Sequence, residues 1–343
     1  MKKYNVAILG ATGAVGQEMI KILEEKNFPI NELKLLASSR STGKKVIFMG
    51  KELIIEEAKK DSFIGMDIVL GAAENNIAIE LLPHAVKAGA LVIDNSSAYR
   101  LDNDVPLVIP EVNPEDIFKN KGIIANPNCA TIIGLVAVNK LHKYAHINSM
   151  IVSTYQAVSG AGNPGITELK EQVKQISNDK ATTPKAFSYQ IAFNLIPQIG
   201  EFYENGYSSE EMKMQNEGRK ILHSDDLKVT CTCIRIPVFR SHSESITLSF
   251  KKEIDVKKAK ELIMESDGVK LVDDPHNQIY PMPLDTTNQD LVYVGRIRKD
   301  LSRDDNKSLT LWCCGDQVRK GAATNAVQIA IKYIEKNENV IVR

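Results

Sequence analysis

The chain has 343 residues, 43% of them hydrophobic and 25% charged, a composition that excludes a disordered chain and leaves room for two folded domains. Lys+Arg and Asp+Glu both number 43, so no net field draws the protein to nucleic acid or to a membrane surface. Met1-Lys2-Lys3-Tyr4-Asn5 leads into an apolar stretch, residues 6–9, that is too short for a secretion signal; no later run approaches a membrane span, and the expectation is a cytoplasmic protein.

Residues 4–9 have the continuous apolar character of a strand buried in a parallel sheet. They run into Gly10-Ala11-Thr12-Gly13-Ala14-Val15-Gly16. A helical pattern follows, with Val15, Met19, Ile22 and Leu23 on one side and Glu18, Lys21 and Glu25 on the other. A glycine turn between strand and helix lets the main chain approach a pyrophosphate, whose charge the helix N-terminus favours. The G-x-x-G-x-x-G spacing is a variant of the common dinucleotide fingerprint, and a tight turn without a ligand is the alternative.

The next strand, residues 33–37, ends in Ser38-Ser39-Arg40-Ser41-Thr42-Gly43-Lys44-Lys45. Where an NAD site usually has a carboxylate for the ribose hydroxyls, this segment offers hydroxyls and cations suited to a 2′-phosphate, which predicts NADP; a solvated basic turn has the same composition. Further strands are predicted over residues 67–71, 90–95 and 122–125, and a helix over 77–88 that Pro83 would shorten or kink. This alternation predicts an α/β protein with a Rossmann-type, doubly wound parallel sheet and right-handed crossovers.

Asn126-Pro127-Asn128-Cys129-Ala130-Thr131 follows the last of these strands, and an apolar helix is expected from residue 132 to about 143. Pro127 cannot extend a strand ladder and Asn128 is a good N-cap, so Cys129 falls at a helix start. There the free amides and the dipole favour a thiolate, and the same amides suit an oxyanion. A buried, inert cysteine is the alternative. The other cysteines are Cys231, Cys233, Cys313 and Cys314; an odd total without a secretion signal predicts reduced thiols, and their spacing fits no usual zinc pattern. Cys231 and Cys233 alternate along a strand predicted over residues 229–238, so both should face a core. Arg235, on that strand, calls for an anion, either a structural carboxylate or a substrate's.

His242 lies in Arg240-Ser241-His242-Ser243-Glu244-Ser245, which reads as a polar turn where an imidazole serves as acid or base, or is simply a surface histidine. Asp94-Asn95-Ser96-Ser97-Ala98-Tyr99-Arg100 puts hydroxyls and an arginine past a strand's carboxyl end, where α/β sheets bind ligands. Gln156 closes an apolar strand that opens into the Ser159-Gly160-Ala161-Gly162 loop. Glu210 and Lys213 are i,i+3 neighbours on a predicted helix, where a solvated face is the expectation.

Together these segments, with Pro281-Met282-Pro283, Tyr293-Val294-Gly295-Arg296 and Arg319-Lys320-Gly321-Ala322-Ala323-Thr324-Asn325, resemble the aspartate-semialdehyde dehydrogenase family over residues 4–332. The resemblance implies an NADP-binding domain (residues 1–128 plus about 319–343) and an α+β catalytic and dimerisation domain (129–318) that forms a homodimer. It implies reduction of aspartyl phosphate to aspartate semialdehyde and phosphate in lysine, threonine and methionine biosynthesis. Cys129 would form an acyl-thioester, His242 would be acid and base, and Gln156 would orient the thiohemiacetal. Arg235 would grip the α-carboxylate, Glu210 the amino group, and Arg100 and Lys213 the phosphate. Gly10, Thr12, Gly13, Ala14, Val15, Arg40, Ser41, Ser159, Gly160 and Gln317 would contact NADP.

The chain departs from the family pattern at three places: Ala130 stands for serine, Gln317 for asparagine, and Glu74 lies in a loop usually richer in serine and small residues. The rivals are an N-acetyl-γ-glutamyl-phosphate reductase, with the same thioester chemistry, and a catalytically silent paralogue acting as a binding subunit. Glyceraldehyde-3-phosphate dehydrogenase fits Arg235 less well, and a nucleic-acid-binding Rossmann protein lacks its basic stripe.

Overall fold

The computed structural model describes residues 2–338; Met1 and residues 339–343, the two ends of the expected NADP-binding domain, lie outside the described residues. The chain divides into two units, one of residues up to Asn128 and from Ala322 onward, the other Cys129–Gly321.

The first unit is a seven-stranded sheet built from β1 (Tyr4–Leu9), β2 (Ile30–Ala37), β3 (Lys45–Phe48), β4 (Lys51–Glu57), β5 (Ile68–Gly71), β6 (Leu91–Asp94) and β7 (Ile123–Ala125), in the order β3-β4-β2-β1-β5-β6-β7. All neighbours run parallel except the edge hairpin β3–β4, which the sequence reading does not foresee. Helices α1 (Ala14–Glu25) and α2 (Asn75–Lys87) lie in this unit, joined at the C-terminus by α8 (Thr324–Glu338). Val6, Ile8, Leu35, Ile68 and Leu70 pack with α1 and α8 on one face, while Ala7, Leu9, Leu36, Val69 and Val92 pack with α2 on the other. Strands buried on both faces need apolar residues without alternation, and these have them. Strand order reverses at β1, so its carboxyl end is the switch point where such sheets bind ligands. Two local expectations fail. Pro83 leaves α2 continuous, because the carbonyl it deprives belongs to Ile79, 58% exposed and open to water. Glu18 is buried and not solvated, with Lys21 at 3.8 Å.

The second unit holds α3 (Cys129–Ala145), β8 (Ile147–Gln156), α4 (Gly162–Ile176), α5 (Ser209–Leu222), β9 (Lys228–Arg235), β10 (His242–Phe250), α6 (Val256–Met264), β11 (Val269–Leu271), α7 (Pro283–Thr286), β12 (Val292–Lys299) and β13 (Ser308–Gly315). Its six strands follow the order β11-β12-β13-β10-β8-β9, antiparallel at the centre and parallel at both ends. Along β8 the even-numbered residues Met150, Val152, Thr154 and Gln156 are buried while Ile151 is 58% exposed, so one face is covered and the other open. Helix α3 packs on β8, β10, β12 and β13 and is flanked by α5 and α6; that enclosure explains why residues 130–139 are buried all round it.

Candidate active site

Strands β8, β9 and β10 finish side by side in the second unit. Gln156 pairs with Arg235 across the β8–β9 ladder. In the β8–β10 ladder Ser243 stands opposite Tyr155, and the same register carried one residue on sets His242 beside Gln156. Shared pleat parity then points Arg235, Gln156 and His242 into one row on the covered face. They are 7%, 2% and 0% exposed. His242 is therefore the first residue of β10 and fully buried, not part of a polar turn: pairing with Gly315 of β13 makes the strand begin at that residue. The strand carrying Arg235 likewise ends there and not at Val238, just before Pro237.

The main-chain groups of one residue, Ala157, fix two members of the row. The Ala157 N–H donates to His242 Nδ1 at 3.1 Å, and the Ala157 carbonyl accepts from Arg235 Nη1 at 2.7 Å. Because Nδ1 accepts, the neutral ring carries its proton on Nε2, which is buried and meets no hydrogen-bond partner among the described residues. Burial pushes the imidazole down to about 3; the Arg235 charge acts the same way and Glu210 opposes both. Arg235 itself makes no ion pair among the described residues, so the structural-carboxylate alternative does not hold. Burial lowers its pKa, while the charges of Glu210 and Cys129, both within electrostatic reach, favour the guanidinium. The guanidinium occupies space left by Gly160, where a Cβ would stand 2.6 Å from Nη1.

Glu210 arrives from the first turn of α5, whose start is fixed by a capping box between Ser208 and Glu211. It accepts from Lys213 Nζ at 2.9 Å and from Gln156 Nε2 at 3.3 Å. At 8% exposure Glu210 is not on a solvated helix face; packing of α5 on β9 and α3 turns its first turn inward.

Cys129 is the first residue of α3. None of the five cysteines is in a disulfide, four are buried, and Cys129 alone is partly exposed. Gly321 lies against it, since a Cβ there would be 2.9 Å from the Cys129 Cβ. Gln317 accepts from the Ser241 N–H at 2.8 Å and donates to the Ser159 hydroxyl, so both ends of its amide are engaged. Asp316 holds that loop by accepting from the Val318 and Arg319 amides and from Arg240. Cys231 and Cys233 face the core 3.7 Å apart, and no group of three or more His, Cys, Asp or Glu is arranged to hold a metal among the described residues.

Four contributions escape the sequence analysis, although Gly160 itself is expected there to contact NADP. The part of Ala157 is invisible because main-chain groups carry no sequence signal. Gly321 and Gly160 matter through a missing Cβ, which only packing reveals. Glu244 forms a second row, opposite Cys313 of β13 and Thr154 of β8, with Cys233 beyond. Its carboxyl is wholly buried, neither oxygen has a partner among the described residues, and burial raises it well above the usual carboxylate range. Gly134 of α3 makes the room: a Cβ there would lie 2.7 Å from Glu244 Oε2.

In the first unit, Gly10 has φ +91° and its Cβ would meet the Ala72 carbonyl oxygen at 2.6 Å; Gly16 lets α1 close on β1, where a Cβ would be 2.3 Å from the Gly10 oxygen. Gly13 is different. Its φ is −72° and the nearest atom to a Cβ is 3.4 Å away, so the protein itself does not require glycine there. Gly13 precedes α1 without a side-chain cap, leaving the first-turn amides of Ala14 and Val15 near the partly exposed Thr12. A cleft of about 280 Å³ beside it is lined by Gly10, Ser38, Ser39, Glu57 and Ala73, among others. Arg40 is exposed and Ser41 nearly buried in the turn after β2. Glu57, at the end of β4, is paired with Lys59 at 3.1 Å. Glu74 is exposed just before α2. Arg100 binds the main-chain oxygens of Asn126 (3.0 Å) and Asn95 (2.8 Å) at the ends of β7 and β6.

Two family models match the chain: the semialdehyde dehydrogenase NAD-binding domain over residues 5–120 and the semialdehyde dehydrogenase dimerisation domain over residues 138–320. The aspartate-semialdehyde dehydrogenase of Aquifex aeolicus is 52% identical over 95% of this chain and 97% of its own length; that of Bacillus subtilis is 49% identical over 95% and 96%. Among solved structures, aspartate semialdehyde dehydrogenase II of Vibrio cholerae, complexed with ASA, superposes with a TM-score of 0.95 at 43% identity, covering 98% of this chain and 99% of that one. The Candida albicans enzyme with NADP gives 0.75 at 26% identity, covering 99% and 100%.

Proposed function

The chain belongs to the aspartate-semialdehyde dehydrogenase family, oxidoreductases acting on an aldehyde group, and from that premise we propose that it interconverts aspartyl phosphate and aspartate semialdehyde through a thioester on Cys129. The observation that carries the residue roles is Arg235: a buried guanidinium without an ion pair, in a row with Gln156 and His242, is suited to a bidentate carboxylate. Glu210 beside it suits the substrate's amino group, which disfavours an acylated glutamyl substrate. The Cys129 thiolate attacks the acyl carbon and phosphate departs with the acyl–oxygen bond's electron pair. Gln156 orients the adduct and His242 Nε2 meets its oxygen. Arg100 and Lys213 serve the phosphate.

NADP, when bound, supplies the hydride that interconverts thioester and thiohemiacetal. Gly13, kept where the protein tolerates a side chain, supports close approach of a pyrophosphate, and Gly10, Thr12, Ala14 and Val15 form that turn. Arg40 and Ser41 after β2, in place of a carboxylate, support NADP over NAD; Ser159, Gly160 and Gln317 serve the nicotinamide end. The open sheet face with Ile151, Tyr155 and Trp312 supports a homodimer, and a nucleophilic thiol suits the reducing cytoplasm. No described helix is long and apolar enough to cross a membrane.

The test is a phosphate-dependent assay with aspartate semialdehyde, comparing NADP with NAD, on the wild type and Cys129→Ala. Turnover with NADP that Cys129→Ala abolishes, and an acyl adduct on Cys129 by mass spectrometry, are expected. Folded protein that turns over with neither cofactor, or a Cys129→Ala variant at normal rate, overturns the proposal.

A further inference from the structure

We infer that Phe187 is a positioning residue for substrate binding: its ring covers the guanidinium of Arg235 and leaves that arginine's N–H groups to the substrate carboxylate. The inference rests on the role given to Arg235 above. Arg235 is buried, has no ion pair, and among the described residues donates within the protein only from Nη1, to the Ala157 carbonyl. A buried charge without compensation is costly, yet a protein carboxylate in the guanidinium fork would occupy the place that a substrate carboxylate needs. An aromatic face meets both demands. Its quadrupole attracts the cation from above the plane and takes up none of the in-plane donors. The Arg235 Cζ lies over the Phe187 ring, 5.9 Å from its centroid.

The ring has a built seat, although residues 177–208 contain no helix or strand beyond isolated bridges. Two buried side chains of α4 hold the segment on either side of Phe187. Before it, the Glu168 carboxylate accepts from the Lys185 N–H at 2.9 Å and from the Ala186 N–H. After it, Gln172 Oε1 accepts from the Ile191 and Ala192 N–H groups at 2.9 and 3.0 Å, while Gln172 Nε2 donates to Glu168 at 2.9 Å and joins the two clamps. The segment is then tied to Arg235 itself: the Ile196 N–H donates to the Arg235 carbonyl at 2.9 Å, and the Arg235 N–H to the Ile196 carbonyl at 2.8 Å. Gly165, on the same helix, leaves room for the ring, since a Cβ there would stand 3.0 Å from Phe187 Cζ. Val158, Leu169 and Ile191 pack beside it. An aliphatic side chain would satisfy that packing equally well; only a ring also offers a π face to the guanidinium.

The experiment is a double-mutant cycle on the full-length enzyme in the phosphate-dependent NADP assay, with folding checked by urea denaturation. Phe187→Leu should raise the KM for aspartate semialdehyde about tenfold, with kcat and the KM for NADP within about twofold of wild type. Phe187→Tyr, which restores a ring, should recover most of that loss. In an Arg235→Lys background, where the planar fork is already gone, Phe187→Leu should cost less than about threefold in kcat/KM. Equal losses in both backgrounds overturn the inference, as does a fall in kcat at unchanged KM, or a Tyr variant as impaired as the Leu variant. Should Phe187→Leu fail to fold, Phe187→Met, which fills the same space without a ring, carries the same expectations. An Arg235→Lys enzyme with an unchanged KM for aspartate semialdehyde would instead fail the carboxylate role of Arg235. If that KM rises and Phe187→Leu does not raise it, only the part given to Phe187 falls.

Discussion

The turn after β1 and the row across β9, β8 and β10 both assemble polar groups, but by different means. In the turn, seven consecutive residues do the work: Gly10 reverses the chain, Gly16 lets α1 close against it, and Gly13 leaves the helix amides open. In the row, Gln156, Arg235 and His242 are 79 and 7 residues apart in sequence, and strand register alone makes them neighbours. Charge is handled differently too. The turn offers main-chain dipoles near solvent, whereas the row buries one cation and one neutral imidazole and fixes both through the main-chain groups of Ala157. A contiguous turn binds through backbone that any suitable sequence can reproduce; a row made by register needs the whole sheet, and tolerates little change in its side chains.

The largest test of that contrast is in the row. Arg235→Lys keeps the charge but loses the planar fork, and kcat/KM for aspartate semialdehyde should fall roughly a hundredfold with the Km for NADP little changed. An equal loss for both substrates would mean that Arg235 holds the sheet and not the carboxylate. Within the turn, two glycines should separate. Gly16→Ala forces a methyl to 2.3 Å from the Gly10 oxygen and should cost roughly 2–3 kcal/mol in urea denaturation. Gly13→Ala, with 3.4 Å of clearance, should leave stability within about 0.5 kcal/mol and raise the Km for NADP about tenfold; the opposite pattern would remove the case for a pyrophosphate there.

The remaining test concerns Glu244. Its folded pKa is raised, so the unfolded chain gives up its proton first as pH climbs, and the folded state becomes relatively less stable. Measured against Glu244→Gln, which has no such titration, wild-type stability should drop between pH 5 and pH 8. A flat difference, or a wild type that gains with pH, would show that Glu244 is ionised in the fold.

Local sequence carried much of the first unit. Uninterrupted apolar runs mark strands covered on both faces, and the glycine spacing marks the turn, because both depend on residues near each other in the chain. The hairpin β3–β4 was not legible: Lys45 on the edge strand β3, and Lys51 and Glu52 on β4 beside it, break up the apolar run that signals a central strand. In the second unit, Cys129 at a helix start was readable from Pro127 and Asn128. His242 was misread as part of a turn because Ser241, Ser243 and Ser245 look polar, although on β10 the odd-numbered serines belong to the opposite face of the sheet from His242, Glu244 and Ile246. Glu210 was read as solvated because an i,i+3 charge pair looks the same on a free helix as on one packed against a sheet.

By itself the sequence determined which chemistry was available: one thiol at a helix start, a glycine turn before another helix, a cation in an apolar strand, an imidazole nearby. Each of these follows from propensities and charges acting within a few residues. Tertiary structure decided that Arg235 has no carboxylate of its own, that Glu210 faces inward, and that the proton of His242 sits on Nε2. Those facts depend on strand register and on the main-chain groups of Ala157, and groups that meet only when distant segments pair leave no mark on the local pattern of residues.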